Sequence, residues 1–140
     1  MLNGRRFPFI ERSSSLGTAS TMPYLPLTLS YQNQSVQVMG LLDTGASINV
    51  LPYELGLQLG AVWEEQVVPI QLGGNLAASE ARGLVVSATV DGFLPILLAF
   101  AWTTSREAPV LLGHMNFFVE FDVCFYRSDL AFEIHPRRKS

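Results

Sequence analysis

The chain has 140 residues, 49% hydrophobic and 15% charged, with a formal net charge of −3. That length suits one domain, and so apolar and weakly charged a chain is not disordered. It is too short for a (β/α)8 barrel or a full dinucleotide-binding fold, its charge argues against a nucleic-acid partner, and the lone Cys124 excludes an intrachain disulfide or a multi-cysteine zinc site.

Residues 1–22 read as a flexible N-terminal arm. Ser13, Ser14, Ser15 and Gly17 interrupt any periodicity, and Arg5, Arg6 and Arg12 favour solvent. The arm has no hydrophobic core of the signal-peptide kind. The longest apolar run, Phe93 to Trp102, is about half of the roughly twenty residues a membrane span needs. A cytoplasmic location with no membrane partner is expected.

Strands follow. Leu25, Leu27, Leu29 and Tyr31 alternate with period two, and Val36 and Val38 resume the pattern after Gln32-Asn33-Gln34, predicting a hairpin that runs into Gly40-Leu41-Leu42. Ile48, Val50 and Leu51 form a short strand stopped by Pro52, with a helical turn or two from Tyr53 to Leu59. Strands are predicted over 67–72 and 84–90, separated by the small, polar, glycine-bracketed segment Gly73 to Gly83. Asp91-Gly92 is a strong hairpin signal joining 84–90 to 93–102. A buried strand at 110–112, a short helix over 113–118 and a final hairpin of 121–126 with 130–134 complete a mostly β domain over 23–136, and 137–140 is a basic tail. The pattern looks doubled: a hairpin leading to two leucines at 25–47 recurs at 84–118, with Leu111-Leu112-Gly113 in the position of Leu41-Leu42-Asp43-Thr44-Gly45.

Of four aspartates, Asp91 is explained by its turn, and Asp122 and Asp129 belong to the solvated final hairpin. Asp43 is different. It ends an apolar strand, where a carboxylate needs hydrogen-bond donors, and the small residues behind it let backbone N–H groups approach. Alone, such an aspartate is as well read as a turn cap. His114 and His135 have no carboxylate or cysteine at metal-ligand spacing, so no metal is expected. Cys124 in an alternating strand reads as an inert apolar thiol, and Trp63 and Trp102 as packing residues.

Leu41-Leu42-Asp43-Thr44-Gly45-Ala46-Ser47 resembles the active-site loop of retropepsin-like aspartic proteases, and Val110-Leu111-Leu112-Gly113 through Phe118 resembles that family's downstream apolar-apolar-glycine segment and helix. The order is most similar to that of the compact bacterial members. The resemblance implies a retropepsin-like closed β-barrel, half of an acid protease, with one short helix after Gly113 and an obligate twofold dimer. It implies Asp43 as the catalytic carboxylate, Thr44 bracing the partner's loop, and Gly45 donating to the carboxylate. Ala46 and Ser47 would complete the active-site loop. Ile48, Val50, Pro109 and Leu111 would line substrate pockets, and Gly73 and Gly74 would open a flap reaching to Gly83. His114 stands where retroviral enzymes commonly carry an arginine.

The chemistry needs two carboxylates sharing a proton, and the chain has one Asp-Thr-Gly. The dyad is therefore expected from Asp43 of two chains, giving an aspartic endopeptidase without cofactor that cuts between hydrophobic residues. Phe7-Pro8 in the arm is expected as a self-cleavage site. Ala46, where pepsin-like enzymes carry a hydroxyl residue, is expected to move the active range from strongly to mildly acidic pH. The alternative reading is a catalytically inactive homodimeric interaction module on the same fold.

Overall fold

The computed structural model describes residues 3–13 and 19–138. Along the chain it runs β1 (Arg5–Pro8), β2 (Ile10–Ser13), β3 (Ala19–Met22), β4 (Tyr24–Tyr31), β5 (Gln34–Leu42), β6 (Asn49–Leu51), α1 (Tyr53–Gln58), β7 (Ala81–Thr89), β8 (Ile96–Thr103), β9 (Leu111–Leu112), α2 (Phe117–Glu120), β10 (Phe121–Tyr126) and β11 (Ala131–Pro136). Single 3₁₀ turns occur at Trp63–Glu65, Gly74–Leu76 and Arg127–Asp129.

Period-two alternation builds a closed barrel in the order β4-β5-β9-β6-β8-β7, with β7 returning to β4 at Leu29↔Ala88. Leu25, Leu27 and Leu29 from β4, Leu84, Val86 and Ala88 from β7, and Leu98, Phe100 and Trp102 from β8 all point inward and are buried. Each large side chain so placed contributes about 1.5–3 kcal/mol. Pro95 stands just before β8, where the ladder asks for no N–H. The Asp91-Gly92 turn closes as expected, with Gly92 at φ 95°.

The two halves interlock. β5 pairs in parallel with β9 (Leu41↔Leu111, Leu42↔Leu112), β6 pairs in parallel with β8 (Val50↔Ala101), and β6 and β9 meet at Val50↔Leu111. Each hairpin is thus followed by a loop and a short strand that inserts beside the other hairpin. The doubling differs from the sequence expectation. Leu111-Leu112 is the neighbour of Leu41-Leu42, not its equivalent, and Leu111-Leu112-Gly113 takes the place of Val50-Leu51-Pro52, each followed by a helix.

The described part of residues 1–22 is not a flexible arm. β1 joins a sheet of order β1-β11-β10, and β2 pairs with β3. Phe7 is only 6% exposed and stacks on Phe132 with ring centroids 5.4 Å apart. The arginines that pointed to solvent have distant partners: Arg5 reaches Asp91, and Arg6 reaches Asp129 and Glu133. Phe7-Pro8, strand-paired and with Phe7 buried, is accordingly not an accessible cleavage site. Ser14, Ser15 and Gly17 lie outside the described residues. In the basic tail, Arg137 extends the last ladder by donating its N–H to Glu120 O at 3.0 Å.

The strand expected at 67–72 is an extended segment tied to β7 through Ile70 N–H to Ala81 O and Gly83 N–H to Val68 O, both 2.9 Å. Pro69, with no N–H, interrupts a regular ladder. Cys124, expected as an apolar thiol, is exposed. Among the described residues no helix is long and apolar enough to cross a membrane.

Trp63 and Trp102 do pack, with Tyr53, as an aromatic cluster against α1. The Trp102 indole N–H donates to Tyr53 O at 3.0 Å, and the ring lies flat on Gly56, where any Cβ would collide with it. Gly56→Ala improves intrinsic helix propensity yet should destabilise the fold by about 1–3 kcal/mol through overpacking. Gln58→Ala, exposed on the same helix, should stay within about 0.5 kcal/mol of wild type. Urea unfolding of the two variants measures the difference.

Candidate active site

β5 ends at Leu42 and β6 starts at Asn49, and the loop between them carries Asp43. Its backbone is anchored at once: Asp43 N–H donates to Leu112 O at 3.0 Å, and Ala46 N–H donates to Asp43 O at 3.1 Å. Gly45 N–H donates to Asp43 Oδ1 at 2.9 Å, a charge-assisted bond when the carboxylate is ionised. A Cβ on residue 45 would stand 3.3 Å from that oxygen, so the glycine keeps the approach open. Asp43 is half-buried, while Thr44, Gly45 and Ser47 are exposed.

The loop is clamped from below by the segment after β9. Gly113 lies so close that a Cβ would come within 2.5 Å of Ala46 O and 2.9 Å of Ile48 O. That contact lets His114 N–H donate to Ala46 O and Met115 N–H to Ser47 O, both at 3.0 Å, while Asn49 N–H donates to Met115 O at 2.8 Å. The helix expected over 113–118 instead begins at Phe117, and residues 113–115 run against the Asp43 loop. The His114 ring, against Phe118, sets Nε2 2.8 Å from Thr44 O. A carbonyl only accepts, so Nε2 carries the proton. His114 thus braces the loop of its own chain.

Two asparagines complete the clamp, and neither was singled out in the sequence. Asn49 is fully buried; its Oδ1 accepts from Gly113 N–H at 2.8 Å, and its Nδ2 donates to Ala99 O and to Asn116 Oδ1. Asn116 in turn accepts from Ala99 N–H and donates to Leu97 O. The signal was present: an amide at the head of the apolar Asn49-Val50-Leu51 strand must find partners in the interior.

The apolar wall assembles from distant segments. Val50, Leu72, Ala81, Ala101 and Ala108 are buried together, with Ile48, Ile70, Leu76 and Leu111 packed around them. Ile48, Val50 and Leu111 thus meet the base of the 73–83 segment. Pro109 is exposed and lines a separate cavity with Tyr24, Gln37, Pro52 and Leu55, while its neighbour Ala108 is buried in this cluster. Gly73 and Gly74 are exposed at the head of the Gly74–Leu76 turn, open on all sides, with Gly74 at φ +62°. The same segment flanks a cavity of about 800 Å³ running from Glu64 to Arg82.

Asp43 and Thr44 border a second, open cavity of about 420 Å³ with Phe9, Met22, Leu42, Phe125 and Arg127. Asp43 is the one acidic residue on it. The Arg127 side chain is engaged elsewhere, with Thr21 O at 3.3 Å and the face of Phe9 at 5.5 Å. Among the described residues no three His, Cys, Asp or Glu side chains gather as metal ligands.

A closed six-stranded barrel with an Asp-Thr-Gly loop clamped by a downstream apolar-apolar-glycine strand is the fold of retropepsin-like aspartic proteases. The chain is similar over 95% of its length to a solved structure, a retropepsin-like aspartic protease from Rickettsia conorii, covering 93% of that chain with a TM-score of 0.60 and 16% sequence identity. No protein-family model and no curated protein matches the chain.

The clamp makes the loop's geometry depend on Asn49. Asn49→Ala strands the Gly113 N–H and the Ala99 carbonyl without partners, and should cost about 1–3 kcal/mol. Hydrogen exchange should accelerate selectively at the amides of His114 and Met115, which the loop carbonyls protect in the wild type. Uniform protection of those amides in the variant would contradict the assignment.

Proposed function

We propose that this protein is an aspartic endopeptidase whose active site forms between two copies of the chain, each giving Asp43. The observation that carries this reading is a single carboxylate, fixed by a backbone amide, facing an open cavity that holds no second acid. The retropepsin-like fold supports it, because there the loop at this place of the barrel is the catalytic one. Twofold symmetry doubles the carboxylate without any further residue from the sequence.

In the dyad, the ionised Asp43 takes a proton from a bound water as its oxygen adds to the peptide carbonyl carbon. The protonated Asp43 of the other chain gives its proton to the carbonyl oxygen, forming a neutral tetrahedral diol. Collapse breaks the C–N bond as the departing nitrogen is protonated, and the shared proton returns to the pair. No covalent enzyme intermediate arises. Gly45 N–H holds one carboxylate oxygen, His114 and the Gly113 segment keep the loop from sagging, and the exposed Thr44 hydroxyl is free to brace the partner's loop. Gly73 to Gly83 closes over the substrate, with Ser47 bonding its backbone. The wall of Ile48, Val50, Ile70, Leu76 and Leu111 favours large apolar side chains beside the scissile bond.

Asp43→Asn should leave the fold intact by circular dichroism and lower peptide cleavage by about a thousandfold or more. Unchanged turnover would overturn Asp43 as the catalytic carboxylate, whereas a folded wild type that cleaves no peptide would favour the non-catalytic dimeric module. Activity should fall on dilution faster than enzyme concentration, because dissociation removes the site itself.

The pH dependence follows from two like groups sharing one proton. The rate should be bell-shaped, with its maximum at roughly pH 4.5–6.5, since Ala46 offers the carboxylates no side-chain donor. Ala46→Ser should move the acidic limb downward. A wild-type maximum at or below about pH 3 would show that another donor supports the pair.

A further inference from the structure

The two long hairpins present different outer faces. Outside the barrel, β4 and β5 carry Thr28, Ser30, Ser35 and Gln37, the polar set expected of a solvated sheet face. On β7 and β8 the residues so placed are Val85, Ser87, Leu97 and Ala99, because Leu84, Val86, Leu98 and Phe100 point inward. None of the four is charged. Val85 is 55% exposed and Leu97 64%.

Asn116 fixes the arrangement of this face. Its side chain accepts from Ala99 N–H and donates to Leu97 O, so both residues turn their backbone groups away from β7. Val85↔Ala99 and Ser87↔Leu97 are then non-bonded pairs, the kind whose side chains stand closest. Gly83, opposite Ala101, leaves a notch: a Cβ there would meet Ile70 Cδ1 at 3.6 Å and Val68 Cβ at 3.7 Å. Val68, 59% exposed, therefore lies over Gly83, one step along the same face from Val85. Val68, Val85, Ala99 and Leu97 make one apolar strip. It is continuous with the wall of the candidate site, since Ala101, the next outward residue after Ala99 on β8, and Ile70, beside Val68, belong to that wall.

We propose that this strip extends the substrate cleft, so that the protein acts on long, extended polypeptide segments carrying apolar side chains far from the bond cut as well as beside it. The inference rests on the protease reading and deepens it by naming the substrate class. Three strand spacings of about 4.8 Å and a few residues of rise at about 3.3 Å separate the Asp43 loop from the strip. An extended chain covers that span, on the order of 20 Å, in about six residues. A globular partner suits the strip poorly, because four side chains fall far short of the roughly 800 Å² that each side of a stable complex buries. A single extended chain matches its width, and apolar side chains leave water there as they do over the wall. In the proposed dimer each copy offers one strip, so the substrate is held on both sides of the scissile bond.

Two fluorogenic peptides with the same residues around one cleaved bond provide the test. The short one has about six residues, and the long one about twenty, continued on both sides with valine and leucine. Expected is a kcat/KM at least about tenfold higher for the long peptide, the effect of covering about one large side chain. Val85→Glu combined with Leu97→Glu should remove that advantage and leave the short peptide within about twofold of wild type. Gln37→Glu, on the polar hairpin, should change neither. Circular dichroism checks the fold, and Val85→Thr, which keeps the β-branched shape, should give a smaller loss of the same kind if the double variant does not fold. Equal values for the two peptides, or an advantage that survives these substitutions, overturns the strip and leaves the protease reading standing. If wild type cleaves neither peptide, the protease reading falls, and fluorescence anisotropy of the labelled long peptide then decides on the strip. Binding that the double variant loses keeps the strip as a peptide-binding surface, whereas no binding, or binding that the variant retains, overturns it.

Discussion

The geometry at Asp43 depends on one contact, the face of Gly113 against the carbonyls of Ala46 and Ile48. Any side chain there would push the strand after β8 away from the loop after β5. With none, the two segments lie close enough to exchange backbone hydrogen bonds, and Asn49 bridges them from inside. A six-residue connection between strands would ordinarily be among the least ordered parts of a domain. Here its carbonyls and amides are paired almost as in a sheet, and a carboxylate mounted on it inherits that order.

The same crossing divides the interior in two. The main core is filled by bulk: Trp102, Phe100, Phe117 and Phe132 are its largest fully buried members. The second cluster, beside the Asp43 loop, is built from Ala81, Ala101, Ala108 and Val50 with one larger buried member, Leu72. Alternation along β8 makes the division, because Phe100 and Trp102 face the main core while Ala101 faces the other side of the barrel wall. The larger side chains thus gather mainly in the first cluster, and most buried members of the second are small. Folding and recognition place their demands on opposite faces of the same strands.

What was legible in the sequence was whatever is encoded locally. The β4–β5 hairpin follows from Leu25, Leu27 and Leu29, the β7–β8 hairpin from Asp91-Gly92, and the Asp43 loop from a carboxylate closing an apolar strand among small residues. What was not legible depends on partners far along the chain. Arg5 and Arg6 look like solvent-facing charges until Asp91, Asp129 and Glu133 arrive beside them from more than eighty residues away. Phe7 looks like part of a loose arm until Phe132 supplies a ring to stack on. The helix after Gly113 starts late, at Phe117, where residues 113–115 pair instead with the Asp43 loop, a long-range arrangement that local propensity does not register. Ala108 and Pro109 differ by one step along a short loop, and a one-residue shift exchanges buried for exposed.

A closed barrel satisfies its own edges, which is why the chain folds around a complete core while carrying only half of the proposed chemistry. Any further layer must therefore be built outside the barrel. In this chain the added material is the β1-β11-β10 sheet, fastened to the barrel core through Phe7, Phe121, Phe132 and Ile134. That sheet draws on distant parts of the chain, so part of the segment that looked like an arm instead joins the final hairpin in a layer bordering Asp43. Because the layer is assembled within one chain, the folded subunit and the complete site are separate achievements. On the proposed reading the first is reached by burial alone, and the second waits for another molecule. Concentration, rather than folding, then decides when the two carboxylates meet.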